Sequence, residues 1–363
     1  MKNYQNSERI DLFLISPSAS IKEAISCIDK NARGIALIVD ENHKLVGTIT
    51  DGDIRRTILA KGDVESNVMD LINQKKSGPY KEPITAPLGI AEADLLMLMD
   101  KYIIRQIPLL NDEGQVVDIA LLSELIQKTD LPINAVVMAG GYGSRLGSIT
   151  DQVPKPMLPV GDRPLMERII DQLRESGIKH VNISTHYLAD KIKEHFEDGR
   201  DFGVDISYVD EDRPLGTAGA LSLMEASDQP LLVINGDIMS RIDFQSMFTF
   251  HQKHKADLTI GVRQYDMKVP YGVVECEGHV VTLLTEKPKL GFLVNAGIYI
   301  IEPSAHSFIP KNQRFDMTDL INQLIKEEKT VVSFPIVEYW LDIGEPVDYE
   351  KAQMDMNQWE ESD

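Results

Sequence analysis

Cysteine is scarce in this chain: Cys27 and Cys276 are the only two in 363 residues. Two thiols so far apart in sequence make neither a disulfide framework nor a zinc cluster. Positive charge is also short. Lys and Arg number 37 against 57 Asp and Glu, a net charge of −20. A surface this acidic repels phosphate backbones and argues against nucleic acid and anionic membranes as partners. A small anionic substrate stays compatible, because a few local cations or a metal override the global field inside a pocket. No apolar run approaches the ~18–20 residues needed to span a bilayer. The N-terminus, MKNYQNSERIDLFLI, is too polar for a signal peptide. A reducing, cytoplasmic compartment is expected. What is there is an ordinary soluble composition, 43% hydrophobic and 26% charged, with length for two or three domains.

An internal repeat appears early. Residues 35–54, IALIVDENHKLVGTITDGDI, align without a gap with residues 106–125, QIPLLNDEGQVVDIALLSEL, at an offset of 71. Asp40 then meets Asn111, Val46 meets Val117 and Ile54 meets Leu125. Upstream, IKEA (21–24) matches IAEA (90–93) at a slightly different offset. Each copy reads as helix, strand, polar turn, strand, helix. Neither has enough core to stand alone, whereas two facing copies bury both apolar faces.

The pattern resembles a pair of CBS domains, a Bateman module of the α+β class, over roughly residues 9–128. Expected boundaries are 1–64 for the first copy and 65–130 for the second. The first copy carries the family's terminal signature as Gly47-Thr48-Ile49-Thr50-Asp51-Gly52-Asp53. The resemblance implies that Thr50 and Asp53 hold a nucleotide ribose, with an adenine or guanine nucleotide as ligand. Vicinal hydroxyls do suit a bidentate carboxylate. In the second copy Asp118, Leu121 and Glu124 stand at these positions, and leucine replaces the hydroxyl residue. The alternative for Asp53 is an ordinary carboxylate near a helix start. The alternative for the pair is dimerisation.

After a short linker at 126–133, IQKTDLPI, strands and helices alternate: NAVVMAG, helices over 164–176 and 189–197, HVNISTHY, VDISYVDE, PLLVINGD. Such alternation indicates an α/β domain over 131–363 with a mostly parallel sheet covered on both faces. Ligands in such sheets sit at the carboxyl ends of strands, and the chemical motifs lie just after strands.

Ala139-Gly140-Gly141-Tyr142-Gly143-Ser144-Arg145-Leu146 follows the first of these strands. Where no Cβ intervenes, backbone N–H groups approach phosphate oxygens closely. The loop is not a Walker A, since no Gly-Lys-Ser/Thr follows, and not a dinucleotide fingerprint, since Leu146 stands where a third glycine is needed. A plain tight turn is the alternative, and Arg145 favours phosphate. Lys155, framed by Pro154 and Pro156, reads as a fixed cation on a stiff segment. Pro214-Leu215-Gly216-Thr217-Ala218-Gly219 reads either as a platform for a flat base or as a helix N-capped by Thr217. Leu231-Leu232-Val233-Ile234-Asn235-Gly236-Asp237 ends an apolar strand on a hard oxygen ligand suited to Mg²⁺.

In this order and spacing the motifs resemble the sugar-1-phosphate nucleotidyltransferases. GGYGSRL followed by PKPMLPV is the specific part of the match, which covers roughly 134–352. Tyr271-Gly272-Val273, Glu286-Lys287-Pro288, Asn295-Ala296-Gly297 and Trp340-Leu341-Asp342-Ile343-Gly344 agree with it. The resemblance implies a Rossmann-like, GT-A-like fold. It implies that Ala139, Gly140, Gly141, Gly143, Ser144 and Arg145 cradle the nucleotide phosphates, and that Gly216 and Thr217 meet the base or ribose. Lys155 would face a phosphate, Asp237 and Asp342 would share Mg²⁺, and Gly272, Glu286, Lys287 and Asn295 would hold the sugar phosphate.

The implied substrates are an NTP and a sugar 1-phosphate. The implied catalytic set is Arg145, Lys155, Asp237 and Asp342. The loop at 214–219 resembles that of guanylyltransferases, which favours GTP over UTP, CTP and dTTP. A CBS pair ahead of such a domain resembles the guanylyltransferases of bacterial nonulosonic sugar pathways. A non-catalytic nucleotide sensor is the rival of another class. No hexapeptide repeats follow residue 352, so no β-helix tail is expected, and the CBS pair implies at least a homodimer.

Overall fold

Two reciprocal capping boxes launch the helices of the first repeat. Ser20 accepts from the Glu23 N–H while Glu23 accepts from that of Ser20, starting the helix Ile21–Asn31. Thr50 and Asp53 do the same for the helix Asp51–Leu59. Each box satisfies amide donors that a helix start leaves open. The structure, a computed structural model, describes residues 7–60, 62–76, 82–125, 130–225 and 227–360. Residues 126–129 of the expected linker lie outside the described residues.

The first repeat runs α1 (Ser7–Asp11), β1 (Leu14–Ile15), α2 (Ile21–Asn31), β2 (Ile35–Val39), β3 (Leu45–Thr50) and α3 (Asp51–Leu59). The second runs α4 (Val68–Lys76), β4 (Ala86–Pro87), α5 (Glu92–Tyr102), β5 (Gln106–Leu110), β6 (Val116–Leu121) and α6 (Leu122–Leu125). Their sheets have the same order, β1-β2-β3 and β4-β5-β6, and the same directions. Even the register shifts correspond, at Ile38/Val39 and at Leu109/Leu110. Both long helices end on a left-handed residue, Ala32 and Ile103. Their buried faces are set by Ala24 and Ile28 in one and Leu95 and Met99 in the other. Those positions keep the offset of 71 through the helices. The pairing of IKEA with IAEA is therefore a misalignment: it sets the buried Ala24 against the exposed Ala93, whereas the buried counterpart of Ala24 is Leu95.

The copies meet about a local dyad. Lys44 and Gln115, again 71 apart, form an antiparallel bridge, and Val116 N–H donates to His43 O at 2.9 Å. Leu37 and Val39 pack with Ile119 and Leu121 in one shared core.

The chain then enters an α/β domain through β7 (Asn134–Met138), the hairpin β8 (Pro159–Val160) and β9 (Arg163–Pro164), and α7 (Leu165–Glu175). It continues with β10 (His180–Thr185), α8 (Ala189–Phe196), β11 (Asp205–Asp210), α9 (Gly216–Gly219), β12 (Leu231–Asn235) and β13 (Ile238–Ser240). There follow α10 (Phe244–His254), β14 (Leu258–Lys268), the hairpin β15 (Val273–Glu277) and β16 (Val280–Thr285), and β17 (Lys289–Ile301). The last elements are α11 (Pro303–His306), α12 (Met317–Lys326), β18 (Val331–Pro335), β19 (Trp340–Asp342) and α13 (Pro346–Glu360). The central sheet has the order β11-β10-β7-β12-β17-β14-β18. β17 alone runs against the others. This is the mixed, mostly parallel α/β fold expected. β7 and β12 are buried because helices cover both faces, α7 and α10 on one side and α12 on the other. Among the described residues no helix is long and apolar enough to cross a membrane.

Candidate active site

The central parallel strands β7 and β12 lie side by side, with Asn235 opposite Met138. Their carboxyl ends therefore deliver the two main loops to one place. After β7 the backbone turns at Gly140, where an added Cβ would lie 2.7 Å from Glu211 Oε1. The space over Gly141 is open. Gly143 sits at φ +65°, where its Cβ would also strike Thr150 Cγ2 at 2.9 Å. That position requires glycine. Two 3₁₀ turns within Ser144–Thr150 follow, separated by a kink at Gly147, and the Thr150 hydroxyl donates back to Gly143 O at 3.0 Å.

Lys155 lies in a 3₁₀ turn whose entry is fixed by Pro154 at φ −57°. It is 8% exposed, and its ammonium donates to Asp237 Oδ2. Asp237 links β12 to the short β13, and β13 pairs with β19 so that Ile238 faces Asp342. The Ile343 N–H donates to Asp237 O at 3.0 Å, closing the ribbon. Burial pushes the Asp342 carboxyl above its ordinary range, and Asp237 beside it adds to the rise, while Lys155 and Arg145 oppose it. Asp342 Oδ1 is buried with no hydrogen-bond partner, and so is Asn235 Oδ1. Two adjacent carboxylates, one with an orphaned oxygen, fit a divalent cation that completes its shell with substrate phosphate. Lys155 holds the charge of Asp237 in the structure as it stands.

A cavity of about 230 Å³ opens here, lined by Gly140, Gly141, Lys155, Glu211, Gly216 and Asp237 among others. Arg145 lies on the Asp342 side, 3.5 Å from where a Cβ on Gly344 would stand. Gly216 has φ +82° and presses so close that a Cβ would sit 2.4 Å from Asp316 Oδ1. Thr217 is a cap, but not of its own helix. Its hydroxyl oxygen accepts from the Met317 N–H at 2.8 Å, starting α12. Its hydroxyl hydrogen and one lone pair are left for a ligand.

The sugar-side residues lie farther out. Gly272 and Glu286 meet at the base of the exposed β15–β16 hairpin, where a Cβ on Gly272 would be 3.0 Å from Glu286 Oε2. Lys287 follows at φ +45°. Neither Glu286 nor Lys287 lines the 230 Å³ cavity. Asn295 is held by Tyr299, donating to its hydroxyl at 2.8 Å. The Trp340 indole N–H donates to Ala296 O at 2.9 Å, placing β19 beside Asn295.

The Nucleotidyl transferase family profile matches residues 134–358. The chain belongs to the Nucleotidyl transferase family. A CBS-domain profile matches residues 8–60, the first repeat. Relatives of this chain include mannose-1-phosphate guanyltransferase 2 of Candida glabrata, 30% identical over 230 residues. The mannose-1-phosphate guanyltransferase of Candida albicans is 31% identical over 230 residues. The alignment with the first covers 60% of this chain and 63% of the relative, so the match spans less than two thirds of that protein. Among solved structures, a Bacillus anthracis protein provisionally named a glucose-1-phosphate thymidylyltransferase superposes with a TM-score of 0.51. It is 25% identical, and the superposition covers 61% of this chain and 94% of that one.

Sequence reasoning passed over two residues of this site. Glu211 is 9% exposed; it accepts from the Ser184 hydroxyl at 2.6 Å and the Leu215 N–H at 2.9 Å. It thereby ties β10 to the Gly216 loop, with its Oε1 packed against Gly140. His186 bridges the Glu211 carbonyl, 2.7 Å from Nδ1, and the Tyr142 hydroxyl, 3.0 Å from Nε2. Their one signal was position, each just past the end of a parallel strand.

In the CBS pair, Thr50 and Asp53 form the capping box of α3. Asp53 Oδ2 accepts from Thr50 N–H and hydroxyl, both at 2.9 Å, and from Lys75 at 2.7 Å; Oδ1 accepts from Arg56 at 2.6 Å. Burial alone would raise this carboxyl, but Lys75 and Thr50 outweigh it and hold it below its ordinary range. A ribose reaching Asp53 must displace Lys75. Glu124, the counterpart 71 residues on, pairs with Arg9 at 2.8 Å. Each copy's leading helix thus supplies the cation for the other copy's carboxylate.

Proposed function

We propose that the protein transfers GMP from GTP to a sugar 1-phosphate, releasing pyrophosphate, with Mg²⁺ as its cofactor. The observation that carries this is the cluster of Lys155, Asp237 and Asp342, with its orphaned carboxylate oxygen, beside a glycine loop over a cavity. The relatives named mannose-1-phosphate guanyltransferases support GTP and a hexose phosphate.

An oxygen of the sugar phosphate forms the new bond to the α-phosphorus, and the bond to the bridging oxygen of pyrophosphate breaks. The nucleophile is already an anion, so no general base is required. The obstacle is the approach of two polyanions, which positioning and preorganised charge overcome. Arg145 and Lys155 neutralise phosphate charge, and the glycine amides bind phosphate oxygens. Gly216 and Thr217 face the base or ribose. Glu286, Lys287, Asn295 and Gly272 hold the sugar phosphate. Mg²⁺ bound by Asp237 and Asp342 would supply the remaining charge neutralisation. Thr50 and Asp53 are the candidate ligand contacts of the CBS pair, whose role is regulation or homodimer assembly in the cytoplasm.

The test is pyrophosphate release with Mg²⁺, crossing GTP, UTP, CTP and dTTP with hexose and amino-hexose 1-phosphates. Turnover with GTP is expected. Turnover with dTTP alone overturns the base, and nucleotide binding without release makes the protein a sensor.

A further inference from the structure

One strand segment belongs to both halves of the molecule. Leaving β18, residues 335–339 cross to the CBS pair before β19 returns to the active site. Val337, 4% exposed, lies in the core of the first CBS copy with Ile54 and Ile72. Arg55 of α3 is 5% exposed and grips the same segment. Its Nε donates to Pro335 O at 2.8 Å, its Nη2 to Glu338 Oε1 at 2.7 Å, and its guanidinium lies 4.1 Å from the Phe334 ring centre. Asp29 of α2 accepts the Tyr339 N–H through Oδ1 at 2.8 Å. From the transferase side Arg263 donates to Ile336 O at 2.8 Å and Glu338 O at 2.7 Å.

Asp342 stands four residues past Glu338, about 13 Å of extended chain. It lies on a ribbon of three paired residues per strand. An isolated two-stranded ribbon has little stability of its own, so its position depends on what holds its ends. One end is closed at Asp237 by the Ile343 N–H. The other end is held by the Arg241 N–H on Tyr339 O at 3.0 Å from the transferase side, and by the clasp of Asp29 and Arg55 from the CBS side. Trp340, between clasp and Asp342, carries the same constraint to Ala296 beside Asn295.

We propose that Arg55 and Asp29 are positioning residues for the transferase site: the CBS pair sets the position of Asp342 through Glu338 and Tyr339. This rests on the reading of Asp237 and Asp342 as metal ligands. A shift of α2 or α3 then reaches the metal ligand without any contact between a CBS ligand and the substrates.

The experiment compares full-length wild type, Arg55→Met, Arg55→Lys and Asp29→Ala below their melting temperatures. Mn²⁺ binding is read from the EPR signal of the free ion in the presence of α,β-methylene GTP, beside kcat and KM with Mg²⁺. Arg55→Met and Asp29→Ala are expected to weaken Mn²⁺ binding by about 10–100-fold, the usual effect of removing an outer-shell support. In both, kcat falls while KM for GTP changes little. Arg55→Lys keeps the charge but not the fork, and falls between. If Arg55→Met does not fold, the double change with Glu338→Met removes both members of that ion pair together and takes its place, while Asp29→Ala tests the other contact. Folded variants that bind Mn²⁺ as tightly as wild type, with only a lower melting point, overturn the proposal. Wild type that neither binds Mn²⁺ with the analogue nor turns over overturns the functional reading instead.

Discussion

Asp51→Asn isolates a carboxyl that the domain contact holds in the wrong charge state. Asp51 opens α3 and is 8% exposed, and its Oδ1 is buried without a hydrogen-bond partner. Burial pushes it up from 3.8 to about 7; Glu338, Asp243 and Asp29 push the same way and Arg55, 3.8 Å from Oδ2, opposes them. Between these values the folded chain keeps the proton and the unfolded chain has lost it. Stability contributed by this group is therefore full below pH 4, falls as pH rises toward 7, and is flat above. At about 1.36 kcal/mol per unit, the upper bound on the loss is about 4 kcal/mol by pH 8, with about 1.5 already lost at pH 5. Wild type should lose as much as about 3 kcal/mol more than Asp51→Asn between pH 5 and 8. At roughly 2–4 °C per kcal/mol this is on the order of 5–10 °C in Tm. Thermal melts of both full-length proteins at fixed ionic strength across that range read it directly. Parallel Tm curves would show that Asp51 ionises normally and refute the reasoning.

Three further outcomes are expected. Lys155→Ala and Asp237→Ala should each lower kcat at least about 10²-fold, the usual loss for one preorganised charge contact, with circular dichroism unchanged; near-wild-type rates would remove that residue from the catalytic set. Glu211→Ala leaves the buried Leu215 N–H and Ser184 hydroxyl without their acceptor. It should cost about 1–3 kcal/mol of stability and raise KM for the NTP more than for the sugar phosphate; equal KM changes would count against its bridging role. Gly216→Ala must move the backbone, since the new Cβ would lie 2.8 Å from Phe315 O. GTP affinity should fall steeply in calorimetry, and wild-type affinity would show that the loop does not face the base.

The parallel part of the sheet was legible because β7 and β12 are nearly continuous apolar runs and α7 and α8 have clear apolar stripes. The helices expected over 164–176 and 189–197 run Leu165–Glu175 and Ala189–Phe196. The motif residues after β7 and β12 were legible for a topological reason, since neighbouring parallel strands bring their carboxyl-end loops together. The misaligned IKEA segment shows the limit of matching letters. Exposed residues are free to coincide, while burial sets the true offset. The exchange of Lys75 and Arg9 between copies carries no local signal, and neither does the Arg55–Glu338 pair, 283 residues apart. Thr217 was read from the composition of its own turn, yet the partner that decides its role lies 100 residues away.

The placement of Val337 in the first CBS core bears on how the chain is made. A ribosome delivers residues 7–130 long before residue 337. At roughly 5–20 residues per second the interval is on the order of 10–40 s. Through that time the first repeat lacks one of its buried side chains, and Arg55 lacks the carboxylate of Glu338. The repeats at 7–130 of the nascent protein thus wait, incompletely packed and open to chaperones, until the segment around Val337 arrives to seal them.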